Sequence, residues 1–412
     1  MIPKIIFNRE KKDWIKRPLL SNIEKILDYR GRTPKKLGLS WSDTGFLALS
    51  ALNVKNGYID FNAYANYGDQ ELYERWMGDN HLHKGQVVFT TEAPMGNVAQ
   101  IPNDDLYILS QRTIAFEVKH DLIREDFLAT LLRSPKIFNE LTSLSSGGTA
   151  KGISQKSLSN LKVCLPTSLE EQSAIGSLFR TLDDLLSCYK DNLANYQSFK
   201  VAVLAKMFPK AGQTVPEIRL DGFEGEWELR EINDLADDFQ SGGTPKTNVQ
   251  EYWDGDIPWI QSSDLGINCL FEIKVQKSIS EKGLENSSAK IIPKDSIAVV
   301  TRVGVGKLAV MRHEYATSQD FLSLSNLKSN IEFTAYLLYR LLQKEVNQLQ
   351  GTSIKGITKV ELLSKKVLIP SLPEQQAIGA YFSNLDNLIN SYREKISQLE
   401  TLKKKLLQDM FI

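Results

Sequence analysis

The sequence contains few of the residues that build disulfide, metal or redox sites. Its 412 residues include three cysteines and four histidines. Cys164, Cys188 and Cys269 lie far apart, with no CxxC spacing and no Cys/His cluster, which argues against a disulfide framework or a structural zinc and indicates a reducing cytoplasm. His81 and His83 share one face of a strand, but the sequence offers no third ligand beside them, so we expect no bound metal.

Long apolar runs and an excess of charge are missing as well. No apolar run approaches the roughly 20 residues of a membrane span, and the charged N-terminus lacks the apolar core of a signal peptide. We therefore expect a cytoplasmic protein that does not bind membranes. Lys plus Arg equals Asp plus Glu at 50 each. Total charge neither indicates nor excludes DNA binding, because phosphate contacts depend on where the cations lie.

Signatures of catalysis are also missing. The sequence has no Pro-Pro step, which an Asn/Asp-Pro-Pro-aromatic methyltransferase motif needs. The segment Gly304–Lys307 has neither the spacing of a dinucleotide-binding loop nor the Ser/Thr that follows lysine in a P-loop. Asp264 with Glu272 and Lys274 resembles a nuclease metal site, but this pattern is very common. We expect no catalytic residue, and a stand-alone DNA methyltransferase or nuclease is the alternative.

The sequence does contain an internal repeat, with two copies of one unit at a spacing of roughly 210 residues. Several strings recur in the same order in both halves, which chance does not explain. The matched strings are Gly31–Lys35 with Gly242–Lys246, Thr91 with Thr301, Ser110–Gln111 with Ser318–Gln319, Lys151–Ile153 with Lys355–Ile357, and Glu171–Gln172 with Glu374–Gln375.

Each unit divides into a globular part and a long helix. Short β-rich runs separated by Gly, Pro and Asn turns, with one helical stretch, predict an α+β domain over residues 1–166 and again over 211–370. Residues 167–210 and 371–412 contain an almost uninterrupted helical pattern. The predicted fold is two tandem mixed α/β domains separated by two long helices, with a pseudo-twofold internal repeat.

The two helices carry matching apolar seams with alternating three- and four-residue steps. Such a seam is typical of a coiled coil, and two matched seams in one chain most simply pair as an antiparallel coiled coil. Asn192 and Lys395 interrupt the seams at corresponding places, and we hypothesise that they fix the helix register. The predicted seam residues are Leu178, Leu182, Leu185, Tyr189, Tyr196, Tyr381, Leu385, Leu388, Tyr392 and Leu399.

The alternation of globular domain and long helix resembles the specificity subunits of type I restriction–modification enzymes over essentially the whole chain. The strings that carry the resemblance are LDYRGRTPKK (27–36), FLALSALNVKNG (46–57), FTTEAPMGNVA (89–99), SGGTPKTNVQEYWDGDIPWI (241–260), LENSSAKIIPKDS (284–296), TSQDF (317–321), and the helix openings LPTSLEEQSAI (165–175) and IPSLPEQQAIG (369–379). No single string is diagnostic, but their duplicated order is specific.

The resemblance implies a mechanism and a set of partners. Each globular part would be a target recognition domain that reads one half of a split double-stranded DNA target, and the paired helices would fix the gap between the halves. Two modification subunits, which carry S-adenosylmethionine, and restriction subunits that translocate DNA would join this chain. The chain itself would need no cofactor. A structural coiled-coil adaptor is a further alternative, although it would leave the globular domains without a purpose.

Candidate DNA contacts follow from residue type and recurrence. Lys and Arg position DNA at phosphates, whereas Arg and Gln read guanine and adenine edges. The Gly/Thr/Pro loop, the end of the central strand and a glycine-bearing loop supply such residues in both units. The predicted DNA-binding residues are Arg30, Arg32, Thr33, Lys35, Lys36, Thr91, Gln111, Arg112 and Lys151 in the first unit, and Gly243, Thr244, Lys246, Arg302, Lys307, Gln319 and Lys355 in the second.

Overall fold

The computed structural model describes residues 14–147, 151–348 and 356–411. These residues form two compact units. The first unit takes the described residues up to Asp191 together with those from Arg393 onward, and the second unit is Asn192–Tyr392. The two long helices of the chain therefore each contribute to both units.

The first half of the chain supplies strands β1 to β9 and helices α1 to α5. The strands are β1 Ile15–Pro18, β2 Ile23–Asp28, β3 Phe46–Leu49, β4 Tyr67–Gly68, β5 Val87–Thr90, β6 Val98–Gln100, β7 Ile108–Leu109, β8 Thr113–Val118 and β9 Lys162–Leu165. The helices are α1 Gln70–Met77, α2 Glu125–Leu132, α3 Pro135–Leu144, α4 Gln155–Asn160 and α5 Leu169–Lys206.

The second half supplies the corresponding set. Its strands are β10 Glu228–Glu231, β11 Ala236–Ser241, β12 Trp253–Ile260, β13 Lys277–Ile279, β14 Ser296–Val300, β15 Leu308–Met311, β16 Ala316–Thr317, β17 Phe321–Leu327 and β18 Lys366–Ile369. Its helices are α6 Glu281–Glu285, α7 Ile331–Gln348, α8 Lys359–Leu363 and α9 Leu372–Met410. None of the helices in the described part of the chain combines the length and apolarity needed to cross a membrane.

The sheet topology is the same in both units, which confirms the internal repeat and the α+β class. An antiparallel sheet has the order β2-β8-β5-β6 in the first unit and β11-β17-β14-β15 in the second. A smaller sheet has the order β4-β3-β7 or β13-β12-β16, and its β3–β7 and β12–β16 pairs are parallel. A third, antiparallel pair joins β1 to β9 and β10 to β18.

The four-stranded sheet buries both of its faces because successive side chains on a strand point in opposite directions. In β5, Val87 and Phe89 enter a core shared with α2 and α3, whereas Val88 enters a second core beneath the small sheet and α1. In β14, Ile297 and Ala298 divide in the same way between two cores. Buried strands with two apolar faces explain the continuous hydrophobic runs in the sequence.

The ends of the long helices complete the globular cores. Phe208, just beyond the end of α5, packs against Trp227 and Phe333, with ring centroids 5.8 and 5.5 Å away. Phe411, just beyond the end of α9, packs in the first unit against Trp14 and Phe127, at 6.0 and 5.9 Å. Each unit thus contains a helix end that comes from the other half of the chain.

Within each unit, α5 and α9 run antiparallel. In the first unit Asp183 pairs with Lys403, and further along α5 Lys190 pairs with Glu400 at 2.7 Å. In the second unit the ring centroids of Tyr196 and Tyr392 lie 5.4 Å apart, and the ammonium of Lys200 lies 2.5 Å from the carboxylate of Asp386. Rising numbers on α5 meet falling numbers on α9 in both cases.

The predicted seam needs two corrections. Leu185 and Leu388 are 41% and 39% exposed, while their neighbours Leu186 and Ile389 are 7% and 3% exposed and occupy the seam instead. Leu185 and Leu388 each stand next to a second apolar residue. Neighbouring residues on a helix point in different directions, so only one residue of each pair can face the partner helix. Of the other predicted members, Leu182 and Leu385 are buried, and Leu178, Tyr189, Tyr196, Tyr381, Tyr392 and Leu399 are partly buried.

Candidate nucleic-acid interface

The Gly/Thr/Pro loop of the first unit follows β2 directly. Gly31 has a φ of +87°, and no atom lies within 4 Å of the position that a Cβ would take, so the backbone is open to an approaching ligand. Thr33 caps a short 3-10 turn over Pro34–Leu37 by accepting a hydrogen bond from the backbone N–H of Lys36 at 3.3 Å. This turn leaves Lys35 on the surface.

The other cations of this loop have partners within the unit. The guanidinium of Arg30 pairs with Asp28, and the ammonium of Lys36 donates to the Gly31 carbonyl at 2.6 Å. Arg32 lies over the Tyr29 ring, 4.6 Å from its centroid. A phosphate that contacts Arg30 would therefore share this guanidinium with the Asp28 carboxylate.

Asp28 is an acidic residue that the sequence argument missed. Burial acts to raise the pKa of its carboxyl group, but hydrogen bonds from the Arg30 side chain, the Arg30 backbone and Gln155 together lower the pKa below its usual value. The Asp-x-Arg spacing before the loop is the sequence signal that could have indicated this pair, because two alternate residues at a strand end project to the same side.

Three distant segments of the first unit meet beside this loop. Thr91, just after β5, donates its N–H to the Arg112 carbonyl at 2.8 Å and accepts the Ile153 N–H on its own carbonyl at 2.9 Å. The Gln111 side-chain amide donates to the Arg32 carbonyl at 2.8 Å. The meeting segments enclose a cleft of about 240 Å³, lined by Arg30, Gly31, Thr91, Glu92, Gln111, Arg112 and Ile153.

Arg112 stands at the mouth of this cleft in an unusual backbone conformation. Its φ is +65°, a left-handed value that non-glycine residues rarely adopt. Its guanidinium pairs with Glu92 at 2.8 Å, and both side chains are about half exposed. The ion pair is therefore accessible to a ligand. Lys151 is exposed close to Ile153 in sequence.

The second unit joins corresponding segments with nearly the same hydrogen bonds. Thr301 donates its N–H to the Asp320 carbonyl and accepts the Ile357 N–H, both at 2.7 Å. Thr244 and Gln319 are joined directly, with the Thr244 hydroxyl donating to the side-chain oxygen at 2.6 Å. Predicted residues far apart in the sequence thus form one cluster in each unit.

Gly243 lies in a place where only glycine fits. Its N–H donates to the Thr317 carbonyl at 2.8 Å. A Cβ added to it would lie 2.2 Å from the Ser288 hydroxyl oxygen and 2.4 Å from the Ser288 backbone carbon. Its counterpart in the first-unit loop is Arg32, so the contact with Ser288 accounts for a glycine at this position of the second unit.

The cations of the second unit differ in exposure and in whether a hydrogen bond holds the side chain. Arg302 is exposed, and within the described residues no ion pair or hydrogen bond holds its guanidinium. Lys246 is also exposed, whereas the Lys307 ammonium donates to the Ser262 carbonyl at 3.1 Å. Lys355 lies outside the described residues. Arg302 and Lys246 are therefore the exposed cations of this cluster among the described residues.

The residues that could suggest a metal site or a nuclease site form hydrogen bonds with neighbouring residues instead. The His81 ring nitrogen Nδ1 bonds the Tyr73 hydroxyl at 2.6 Å, whereas the His83 Nε2 bonds Glu125 at 2.9 Å. Asp264 accepts the Gln261 N–H at 3.0 Å and so closes a short turn. The two imidazoles serve different partners and do not face a common point.

Comparison with known proteins identifies this architecture. The family model for the type I restriction modification DNA specificity domain matches twice, over residues 10–195 and 224–401. The chain belongs to this DNA specificity family. The two matches cover the two copies of the repeat, so each half of the chain carries one copy of the family's domain.

Relatives match either one half or the whole of this specificity chain. A putative type I restriction enzyme MjaX specificity subunit from Methanocaldococcus jannaschii is 22% identical over 96% of this chain and 92% of its own length. The EcoR124I/EcoR124II specificity subunit of Escherichia coli is 28% identical over 44% of this chain and 46% of its own. The MjaIX specificity subunit of M. jannaschii is 28% identical over 45% of this chain and 44% of its own.

Two solved structures share the fold. The S subunit of a type I restriction–modification system from M. genitalium aligns over 100% of this chain and 99% of its own, with a TM-score of 0.65 and 16% identity. A chain from a structure on complex assembly and conformational transition of the type I system aligns over 97% and 98%, with a TM-score of 0.54 and 19% identity.

Proposed function

We propose that this chain reads a split DNA target through the two loop clusters, one half-site for each unit. The observation that carries the proposal is their repeated construction. In both units the residue after the central strand, Thr91 or Thr301, ties together the same three segments. Exposed cations and open backbone beside these joints suit phosphate contacts, and Arg302 suits a guanine edge.

As a member of the specificity family, the chain is the non-catalytic DNA-recognition subunit of a type I restriction–modification complex. Its partners are double-stranded DNA, the modification subunits and the restriction subunits. Family membership favours this function over a stand-alone methyltransferase or nuclease and over a structural adaptor. We also propose that the chain acts in the cytoplasm, where such a complex would meet its DNA.

The division of labour within the chain follows from the repeat. Residues 1–166 and 211–370 would be the two recognition domains, and residues 167–210 and 371–412 would be the spacer helices. The remaining DNA-binding candidates would act within these loops: Arg30, Arg32, Thr33, Lys35, Lys36, Gln111, Arg112 and Lys151 in one unit, and Gly243, Thr244, Lys246, Lys307, Gln319 and Lys355 in the other.

Modification subunits would dock on apolar patches of the helix pair. Leu185 and Leu402 are exposed in the first unit, and the antiparallel register places them opposite each other. Leu388 and Phe199 are exposed in the second unit, and the same register places them opposite each other. Two equivalent patches suit two copies of one partner, since exposed apolar groups on a surface helix mark interaction sites.

The test is a methylome. The chain is co-expressed with its modification subunit, and host DNA is sequenced for N6-methyladenine. We expect a motif of two short specific blocks around a gap of fixed length. Methylation by this chain without a modification subunit, or a continuous motif, would contradict the proposal.

A further inference from the structure

A buried charged cluster joins three elements in the second unit. The Lys200 ammonium of α5 pairs with one carboxylate oxygen of Asp386 in α9, and the Tyr336 hydroxyl of α7 donates to the other at 2.6 Å. Lys200 is only 8% exposed. Burial and the nearby Asp386 carboxylate raise the pKa of Tyr336, so its hydroxyl remains a donor. We call these three residues the second node.

A similar cluster lies in the first unit. Asp183 of α5 pairs with Lys403 of α9 and with the guanidinium of Arg133, at 2.5 Å, where α2 ends. The Arg133 side chain is 7% exposed. Asp183, Lys403 and Arg133 form the first node, which again joins both long helices to the globular part of its unit.

The two nodes occupy corresponding positions of the repeat. Each residue of one node is separated from its counterpart by the same sequence interval that separates Gln172 from Gln375. The corresponding pairs are Asp183 with Asp386, Lys403 with Lys200, and Arg133 with Tyr336. Both nodes place an acid on one long helix and its lysine on the other, and the third member comes from the globular part.

Charges that are buried or partly buried, as in both nodes, penalise any arrangement that separates them. An ion pair out of water adds little net stability, but a charge left alone in the interior is strongly unfavourable. Moving α5 by one heptad along α9 would bring Leu193 or Met207 beside Asp386. The same shift would bring Ile396 or Met410 beside Asp183. Leucine contacts along the seam tolerate such a shift, whereas the nodes do not.

We propose that the two nodes fix the register of α5 against α9, hold each globular part on the helix pair, and thereby set the gap between the two DNA half-sites. The inference rests on the proposed function. A shift of one heptad moves a helix by about 10 Å, at ~1.5 Å per residue. That distance corresponds to about three base pairs of DNA, at ~3.4 Å per base pair. The node residues act by positioning and need not touch DNA.

The test replaces both nodes by apolar residues of similar size. The changes are K200M, D386L and Y336F in the second node, and R133M, D183L and K403M in the first. An all-apolar node leaves no charge or hydroxyl stranded, so the chain can fold. The variant is assembled with its modification subunit, and methylation is measured on targets whose gap is lengthened or shortened by one, two or three base pairs. The matched control is K190Q with E400Q, which removes an exposed ion pair between the same helices.

We expect the wild type and the control to prefer one gap, and the apolar variant to lose at least tenfold of that discrimination while its melting temperature stays equal or rises. The swapped pair K200D with D386K restores a buried ion pair and should restore the preference. The inference would be overturned if the folded apolar variant kept the gap preference of the wild type. It would also be overturned if the folded swapped variant did not regain that preference. A wild type with no split motif would overturn the proposed function itself, and the inference with it.

Discussion

At the scale of residues, the two units exchange the signs of their cluster charges. Glu92 and Arg302 each follow the threonine that joins the segments, and Arg112 and Asp320 each follow the recurring glutamine. The first unit neutralises its Arg112 with Glu92, whereas Arg302 is exposed. Opposite charges at equivalent places favour different base edges, so we expect two different half-sites.

Replacing Arg302 by alanine should blur one block of the methylated motif and leave the other intact. A guanidinium that bonds a guanine edge discriminates by about 1–3 kcal/mol. Methylome sequencing of the R302A complex measures this effect. R230A removes an exposed arginine on β10 that pairs with Glu228 and serves as the matched control. Equal blurring of both blocks would argue for a general phosphate contact instead.

The Asp28–Arg30 pair should make folding stability depend on acid pH. The pKa of Asp28 is lowered in the folded chain. Its ionised form therefore contributes stability that is fully present above the unfolded value of 3.8 and is lost as pH falls through the lower folded value. Thermal unfolding of wild type and D28N from pH 7 to pH 3 should show a difference that shrinks at the acid end. A constant difference would contradict this.

At the scale of elements, close approach of backbones decides how the long helices sit on their own units. Gly176 in α5 leaves no room for a Cβ, which would lie 2.4 Å from the Asp126 Cβ and 2.9 Å from the Phe127 backbone nitrogen of α2. Gly379 in α9 meets the start of α7 in the same way, with the Phe333 backbone nitrogen 3.0 Å away. Both glycines recur at one position of the repeat because both contacts recur.

The corrected seam can be tested by comparing adjacent leucines of α5. Leu186 is buried and Leu185 is exposed. L186A should lower the free energy of unfolding by about 2–5 kcal/mol, because it removes buried methyl groups and leaves a cavity. L185A should change it by about 0.5 kcal/mol or less. Denaturant titration of both variants measures the two losses. Equal losses would mean that Leu185 and Leu186 both belong to the seam.

At the scale of the whole molecule, the internal repeat provides each helix patch and each loop cluster twice. Under the proposed function, the repeat would let one chain bind two copies of a single partner, while differences between the loop clusters would keep the DNA target asymmetric. The apolar patches on the helices belong to the repeated part, and Arg302 belongs to the part that differs.

Charging one apolar patch should therefore remove one of the two modification subunits. Lysines at Leu185 and Leu402 would have to be desolvated on docking, which disfavours the complex. Light scattering of the L185K/L402K complex should give a mass with one modification subunit fewer. Lysine at Val360, an exposed position on α8, is the control. An unchanged mass would exclude this patch as the docking site.

The sequence alone determined the repeat, the α+β class and the two long helices. These features follow from the order of recurring strings and from local periodicity, and family membership agrees with them. The recurring strings also marked the segments that contain Thr91, Gln111 and Ile153, but their meeting in each unit is a finding of the tertiary structure.

Only the tertiary structure decided which side chains those patterns use. Sequence could not choose between Leu185 and Leu186, because both are apolar and packing selects one. It could not show that Asp28 and Glu92 neutralise Arg30 and Arg112, because ion pairs depend on where side chains project. Nor could it show the buried partnership of Lys200 with Asp386, which joins residues distant in sequence and becomes visible only once the helices are paired.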